Sequence, residues 1–267
     1  MTAVVPPTTS RYAGDSRPVA DVPAIPFRRL TAVELRKQVD TRAGRWLLVS
    51  IVAVNVILAV LVLLTSPPEL LTWRALTETT TIGQLLLLPL IGILAATSEW
   101  TQRTTLTTFT LEPRRTRVNL AKLTGAVALG AVTLVLTLAA AAALNGLGAL
   151  LRGGDGSWQM DWAMLGGLSL ALLVLVTQGV AFGLLFLSTP IAIVSYLLIP
   201  TAWTAVVMLV SALDGVAPWL DLSIGLEVLM AGEMTPQTWL HLASSTAVWV
   251  ALPLVLGLVR TARREVA

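Results

Sequence analysis

Long apolar runs alternate with short polar segments along the chain. Six of these runs approach or exceed the roughly 20 residues that a helix rising 1.5 Å per residue needs to cross the hydrocarbon core of a membrane. They cover residues 46–64, 80–97, 123–147, 162–187, 191–213 and 238–259. The pattern predicts an all-α, polytopic membrane protein with six transmembrane helices.

The fourth and fifth runs are separated only by Ser188, Thr189 and Pro190. Together the two runs are too long for one membrane span, and a proline inside a helix removes a backbone hydrogen bond. We therefore predict a tight helical hairpin at this point.

Composition supports the membrane assignment. Hydrophobic residues make up 55% of the 267 residues and charged residues only 12%, whereas a soluble domain carries about 25% charged residues. The chain has no cysteine, which excludes disulfides and thiolate metal sites. Residues 1–26 are rich in Pro, Ser and Thr and are predicted to be a disordered cytoplasmic tail.

The basic residues predict the orientation. Of the 18 lysines and arginines, all but Arg74 and Arg152 fall before the first run, between the second and third runs, or after the last run. The excess of basic residues in cytoplasmic loops then places both termini and residues 99–122 in the cytoplasm of a plasma membrane protein.

The predicted spans contain few residues that could act in catalysis or bind a metal or cofactor. No acidic or basic residue lies near the middle of a run, and His241 is the only histidine. Neither of the two lysines, Lys37 and Lys122, follows a glycine-rich phosphate-binding loop. We predict that this chain is not an enzyme, holds no cofactor or metal, and binds no nucleic acid. Polar residues such as Asn55 and Gln84 are expected to form hydrogen bonds between helices.

A short amphipathic helix is predicted over residues 27–45, ahead of the first span. Thr31 and Glu34 have the spacing of a capping box, and Leu30 with Leu35 have that of a hydrophobic staple. Ala32, Leu35 and Val39 would share the apolar face, and the residues predicted to turn outward are Glu34, Arg36, Lys37, Asp40 and Thr41. Such a helix either lies on anionic lipid or docks a cytoplasmic partner.

Residues 99–122 are longer than the usual connection of about 4–6 residues, and long connections tend to be functional. Leu106, Phe109 and Leu111 provide apolar positions within this polar, basic segment. Pro113 is suited to the first turn of a helix, so the third membrane helix is expected to begin near it.

This segment resembles the signature of type-2 ATP-binding-cassette permeases, and its EPRRTRV sequence resembles permeases of actinobacterial multidrug and antibiotic exporters. The matching residues are Glu99, Thr104, Thr105, Pro113, Arg115 and Lys122. Arg103 stands near the place where the family usually has a glycine. The resemblance extends over residues 27–267 and implies a coupling helix after the second span and short, partly re-entrant helices within residues 214–237.

The resemblance also implies the partners. Residues 46–267 would form the six-span permease domain, which pairs with a second permease copy or a paralogue. ATP and Mg²⁺ would bind to a dimer of separate cytoplasmic ATPase subunits. The residues implied to couple to the ATPase are Glu99, Arg103, Thr104, Thr105, Leu106, Phe109, Pro113 and Arg115. The interface helix would contribute Thr31, Glu34, Leu35, Arg36, Lys37 and Val39.

The function implied is ATP-driven export. By composition, the substrate would be amphipathic or lipid-like, such as a drug, an antibiotic or a lipid. The alternative is a non-transporting membrane anchor, sensor or immunity component that is paired with an ATPase.

Overall fold

A computed structural model describes residues 25–154 and 156–264, and within these residues the regular structure is entirely helical. All but the last two residues of the predicted N-terminal tail, Ile25 and Pro26, lie outside this range. The α-helices are α1 (Phe27–Asp40), α2 (Arg42–Thr65), α3 (Trp73–Thr101), α4 (Thr105–Leu111), α5 (Arg115–Arg152), α6 (Trp162–Phe186), α7 (Thr189–Leu209), α8 (Ala217–Leu220), α9 (Leu222–Ala231), α10 (Pro236–Thr246) and α11 (Leu252–Arg263).

Six helical segments of this structure are long and apolar enough to cross a membrane, as predicted. They are α2, α3, α5, α6, α7 and the continuous segment Pro236–Arg263, in which a π-helical turn joins α10 to α11. Several extend beyond the apolar runs. The second span, α3, begins at Trp73, where the Thr72 hydroxyl accepts a hydrogen bond from Ala75 N–H. The third span, α5, begins at Arg115.

The predicted hairpin between α6 and α7 is confirmed. Leu187 ends α6 in the left-handed conformation with a φ of 55°, Ser188 is extended, and Pro190 lies in the first turn of α7. Proline is tolerated there because the first N–H groups of a helix have no partner within the helix.

The centre of the bundle is the contact between α3 and α6, where glycines bring the backbones together. A Cβ atom on Gly179 would lie 2.1 Å from the carbonyl oxygen of Pro89, and one on Gly183 would lie 2.6 Å from the Cβ of Ala96. The sequence GVAFG, residues 179–183, is thus a site of close helix packing. Gln84 adds an interhelical hydrogen bond of 2.7 Å from its Nε2 to the carbonyl oxygen of Thr133.

Between the fifth and sixth spans the chain forms the short helices α8 and α9. Helix α9 packs closely on α6, because a Cβ on Gly167 would lie 1.9 Å from the carbonyl oxygen of Leu229. Gly232 ends α9 with a φ of 78°, a conformation that glycine adopts without steric cost. The expected short helices are present in this segment.

Helix α1 begins at the first residue of the predicted range, but the capping box predicted at Thr31 and the predicted faces of the helix are wrong. The helix begins at Phe27 after Pro26, so Thr31 lies inside it and its buried hydroxyl has no hydrogen-bond partner among the described residues. The inward stripe is Leu30, Glu34 and Gln38, at intervals of four residues, while Ala32 is exposed. Apolar residues alone did not reveal this face because two of its three buried side chains are polar.

Candidate functional site

Both ends of the described chain meet at one end of the bundle. The Arg117 guanidinium donates a 2.9 Å hydrogen bond to the carbonyl oxygen of Ile25, and the Arg264 guanidinium lies 5.2 Å from the centre of the Trp100 ring. The start of α1, the end of α3, α4, the start of α5 and the end of α11 all converge here. We call this end the terminal face.

Four charged side chains form a closed ionic network beneath the terminal face. Lys122 Nζ lies 2.7 Å from Glu34 Oε2 and 3.1 Å from Glu99 Oε1. Lys37 Nζ lies 2.6 Å from Glu34 Oε1 and 2.9 Å from Glu99 Oε1. The network contains both lysines of the chain, and its two positive and two negative groups balance.

The network joins elements that are far apart in sequence. Lys122 is only 2% exposed, so its charge depends on Glu34 of α1 and Glu99 of α3, because an isolated charge in such a place is very costly. Gln38 adds a 3.1 Å hydrogen bond from its Nε2 to the carbonyl oxygen of Lys122. Helices α1, α3 and α5 are therefore held together at their ends.

Lys37 closes the network on its more open side, where its side chain is 41% exposed. Burial lowers the pKa of Lys37, but the hydrogen bonds and charges of Glu34 and Glu99 outweigh this effect and leave the pKa raised above its ordinary value. Lys37 is consequently a stable cation at neutral pH.

Helix α4 is attached directly to this network. The Thr108 hydroxyl donates a 3.0 Å hydrogen bond to Glu99 Oε1, and Thr104 N–H donates one of 2.9 Å to the carbonyl oxygen of Glu99. The turn into α4 passes through Arg103, which has a φ of 57°. A residue other than glycine is strained in this conformation, and this is the residue that stands where the resemblance leads us to expect a glycine.

The aromatic ring of Phe109 secures α4 from beneath. Phe109 is buried with Leu30, Val118 and Ala121, and its ring centre lies 6.3 Å from that of Trp100. The Arg115 guanidinium lies 5.0 Å from the ring centre, within the range of a cation–π interaction. Phe109 thus faces the protein and not the surface.

The outer side of α4 is apolar and uncovered. Leu106 is 56% exposed and Leu111 is 73% exposed, while the threonines between them, Thr107 and Thr110, are also exposed. The result is a short helix with a fixed inner side and two free leucines. These leucines are the large apolar side chains exposed on α4.

The start of α5 is joined to the end of α11. Arg115 donates a 2.9 Å hydrogen bond to the carbonyl oxygen of Thr261 and a second bond to that of Arg264, and Asn119 donates one of 2.9 Å to the Thr261 hydroxyl. Pro113 precedes α5, whose N-cap is Arg114. The third span therefore begins near Pro113, as predicted, although Pro113 itself lies two residues ahead of the helix.

An open crevice lies beside the network, between α1, the start of α2 and the end of α3. Its volume is about 510 Å³, and Lys37, Arg42, Ser98 and Thr101 are among its polar lining residues. The apolar part of the crevice is formed by α3. Glu34, Lys37 and Gln38 of α1 also line the crevice.

The structure therefore brings together most residues of the predicted site. Thr105 and Phe109 lie in α4, and Glu99, Thr104 and Arg115 lie next to it. By contrast, Thr31 makes no hydrogen bond with the described residues, and Arg36 is exposed. Leu35 and Val39 pack against the central apolar core. Sequence reasoning placed Glu34 in solvent and did not identify Gln38, Thr108 or Asn119. The four-residue spacing of Leu30, Glu34 and Gln38 is consistent with one helix face, but the polar character of Glu34 and Gln38 hid its burial.

Searches against protein-family models, curated proteins and solved structures found no match to this chain.

Proposed function

We propose that this chain is the permease subunit of an ATP-driven exporter and that α4 is the helix through which a separate cytoplasmic ATPase subunit acts on it. The observation that carries the proposal is the two-sided character of α4. Phe109 and the Glu99 network fix its inner side, while Leu106 and Leu111 remain exposed on its outer side. An isolated seven-residue helix is unstable in water, so its stability depends on these contacts.

The network provides a mechanical route from α4 into the spans. Glu99 lies at the end of α3, Lys122 lies near the start of α5, and Thr108 connects α4 to both through Glu99. A displacement of α4 would move the ends of two spans together because their charged groups cannot separate without leaving a buried charge unpaired. ATP binding to the partner would then shift the permease between conformations by its differential affinity for them.

The proposed setting is a plasma membrane with the terminal face in the cytoplasm, which rests on the distribution of lysine and arginine. ATP and Mg²⁺ would bind to the dimer of ATPase subunits.

A second permease copy or a paralogue would complete the transporter. Helix α7 is a suitable surface for that contact, since its described side chains are mostly uncovered in the single chain. Membrane lipids would cover the remaining apolar surface, and the transported substrate would be amphipathic or lipid-like.

The docking proposal is tested by Leu106→Asp and Leu111→Asp in the tagged full-length chain, purified from its native membrane in mild detergent. A charge at an interface centre removes apolar burial and adds desolvation cost. We expect each variant to recover at least about tenfold less ATPase subunit than the wild type. Leu150→Asp, at a leucine near the opposite end of α5 that is even more exposed than Leu106 and Leu111, is the matched control and should retain the ATPase.

Equal ATPase recovery with Leu106→Asp, Leu111→Asp and wild type would refute the docking role of α4. If the ATPase is recovered, its ATP hydrolysis is measured with and without candidate substrates. Stimulation distinguishes an exporter from a membrane anchor or sensor that only holds an ATPase.

A further inference from the structure

A second cavity lies at the opposite end of the bundle, where α7 meets the short helices α8 and α9. Its volume is about 300 Å³. The lining combines aromatic, hydroxyl and carboxylate side chains, among them Thr201, Trp203, Thr204, Asp221, Ser223 and Trp249. The proposed coupling to an ATPase uses none of these residues.

The carboxylate of Asp221 is the chemically decisive group. It is only 2% exposed and accepts hydrogen bonds from the Thr204 hydroxyl (2.8 Å), the Ser223 hydroxyl (2.5 Å) and Ser223 N–H (2.9 Å). Three donors hold the two oxygens in a fixed position at the start of α9, whose N-terminus carries part of a positive charge. No lysine or arginine of residues 25–154 and 156–264 forms an ion pair with Asp221.

The surroundings favour positive charge. Residues 210–237 contain four acidic residues and no lysine or arginine. A carboxylate held in a partly enclosed cavity without a full counter-charge attracts cations because the local dielectric constant is lower than that of water. Electrostatics would therefore favour a cation in this cavity over a neutral molecule or an anion.

The tryptophans indicate what kind of cation fits. Trp203 and Trp249 both line the cavity, and indole rings attract organic ammonium groups more strongly than other aromatic side chains do. The Trp249 indole N–H is already used in a 2.6 Å hydrogen bond to the carbonyl oxygen of Leu220. The buried Trp203 indole N–H has no partner among the described residues, so it can donate to an oxygen atom of a ligand.

We infer that this cavity binds a small organic cation, a quaternary or protonated amine that also carries a hydrogen-bond acceptor. Asp221 balances its charge, Trp203 and Trp249 contact its alkylammonium group, and the Trp203 indole N–H binds its oxygen. The site does not depend on ATPase docking. We further infer that such cations are the exported substrates, and this second step rests on the proposed function.

The test is calorimetric titration of the full-length chain, in lipid nanodiscs without ATPase, with choline and with its neutral isostere 3,3-dimethyl-1-butanol. The two compounds have nearly the same shape and the same hydroxyl group, so they differ in charge. We expect choline to bind at least about tenfold more tightly, because the cation–π and carboxylate contacts are lost in the neutral compound.

Asp221→Asn keeps the capping acceptor of α9, since Asn and Asp are equivalent at that position, and should weaken choline binding about tenfold or more. Asp214→Asn, an exposed residue of the same segment, is the matched control and should leave binding unchanged. Thr201→Phe, which fills the cavity from an exposed position, should abolish binding without touching the carboxylate.

Choline binding that survives both Asp221→Asn and Thr201→Phe would overturn the site, as would equal affinity for choline and the neutral isostere or no measurable binding of choline. None of these results bears on ATPase docking, which is measured at the other end of the bundle. Failure of this site and failure of the proposed function are therefore distinguishable.

Discussion

Replacing Lys122 with methionine tests the ionic network most severely. Methionine preserves most of the side-chain volume of lysine but removes the ammonium group that bridges Glu34 at 2.7 Å and Glu99 at 3.1 Å. Lys37 would then face two carboxylates alone. Loss of one partner from a buried ion pair costs about 3–5 kcal/mol, since the other charge is left uncompensated.

Lys37→Met provides the matched comparison. Lys37 contacts the same two carboxylates at 2.6 and 2.9 Å, but its side chain is 41% exposed, whereas that of Lys122 is 2% exposed. Water can replace much of what Lys37 provides, so we expect its loss to cost about 1 kcal/mol. The two variants remove the same ammonium group from the same two carboxylates, and they differ in how deeply the lysine is buried.

Thermal unfolding in detergent measures the difference. For a protein of this size, about 4 kcal/mol corresponds to a fall of roughly 10 °C in the melting temperature. We expect a fall of that size for Lys122→Met and a few degrees for Lys37→Met. Adding Glu34→Gln to Lys122→Met should recover at least about 1 kcal/mol, because it removes one unpaired carboxylate. Equal losses for the two lysine variants would refute the reasoning that burial sets the strength of the network.

Three further predictions concern local features. Arg103→Gly relieves a positive φ of 57° and should stabilise the protein by about 1 kcal/mol in the same melting assay; a loss would contradict the strained turn. Gly179→Val places atoms against the carbonyl oxygen of Pro89 and should cost at least about 3 kcal/mol in that assay, whereas Gly166→Val, which meets no atom within 4 Å, should cost less than about 1 kcal/mol. The raised pKa of Lys37 means that its stabilising contribution is complete below the pKa of lysine in the unfolded chain, about 10.4, and is lost as the pH rises through the higher folded value. The melting temperatures of wild type and Lys37→Met should therefore converge above about pH 10.5, and a gap that widens there would contradict the assignment.

The spans were predictable because their signal is local. A run of about 20 apolar residues indicates a membrane helix wherever its neighbours lie, and Pro190 indicates the hairpin by its missing N–H. Residues of the terminal face that lie next to each other in sequence were also visible, since the apolar positions Leu106 and Phe109 stand out in a polar segment. Local signals of this kind do not depend on tertiary contacts.

The network was not predictable from such signals. Glu34 has the composition and spacing of an exposed capping residue, and only its contact with Lys122, 88 residues away, explains why it is buried. The burial of Phe109 likewise follows from Leu30 and Val118 on other helices. Whether a charged side chain is buried depends on which oppositely charged residue lies next to it in the folded protein. A single sequence does not show which residue that is.

The contact between α4 and an ATPase subunit is the central claim, and it can be tested directly by cross-linking. The photoreactive amino acid p-benzoylphenylalanine at position 106 forms covalent bonds only with groups that touch it, and the same substitution at position 150 is the control. We predict that irradiation of native membranes attaches a nucleotide-binding ATPase subunit to Leu106→p-benzoylphenylalanine and not to the Leu150 variant. Adducts with lipid alone, or the same proteins from both positions, would contradict the claim that α4 transmits the action of an ATPase.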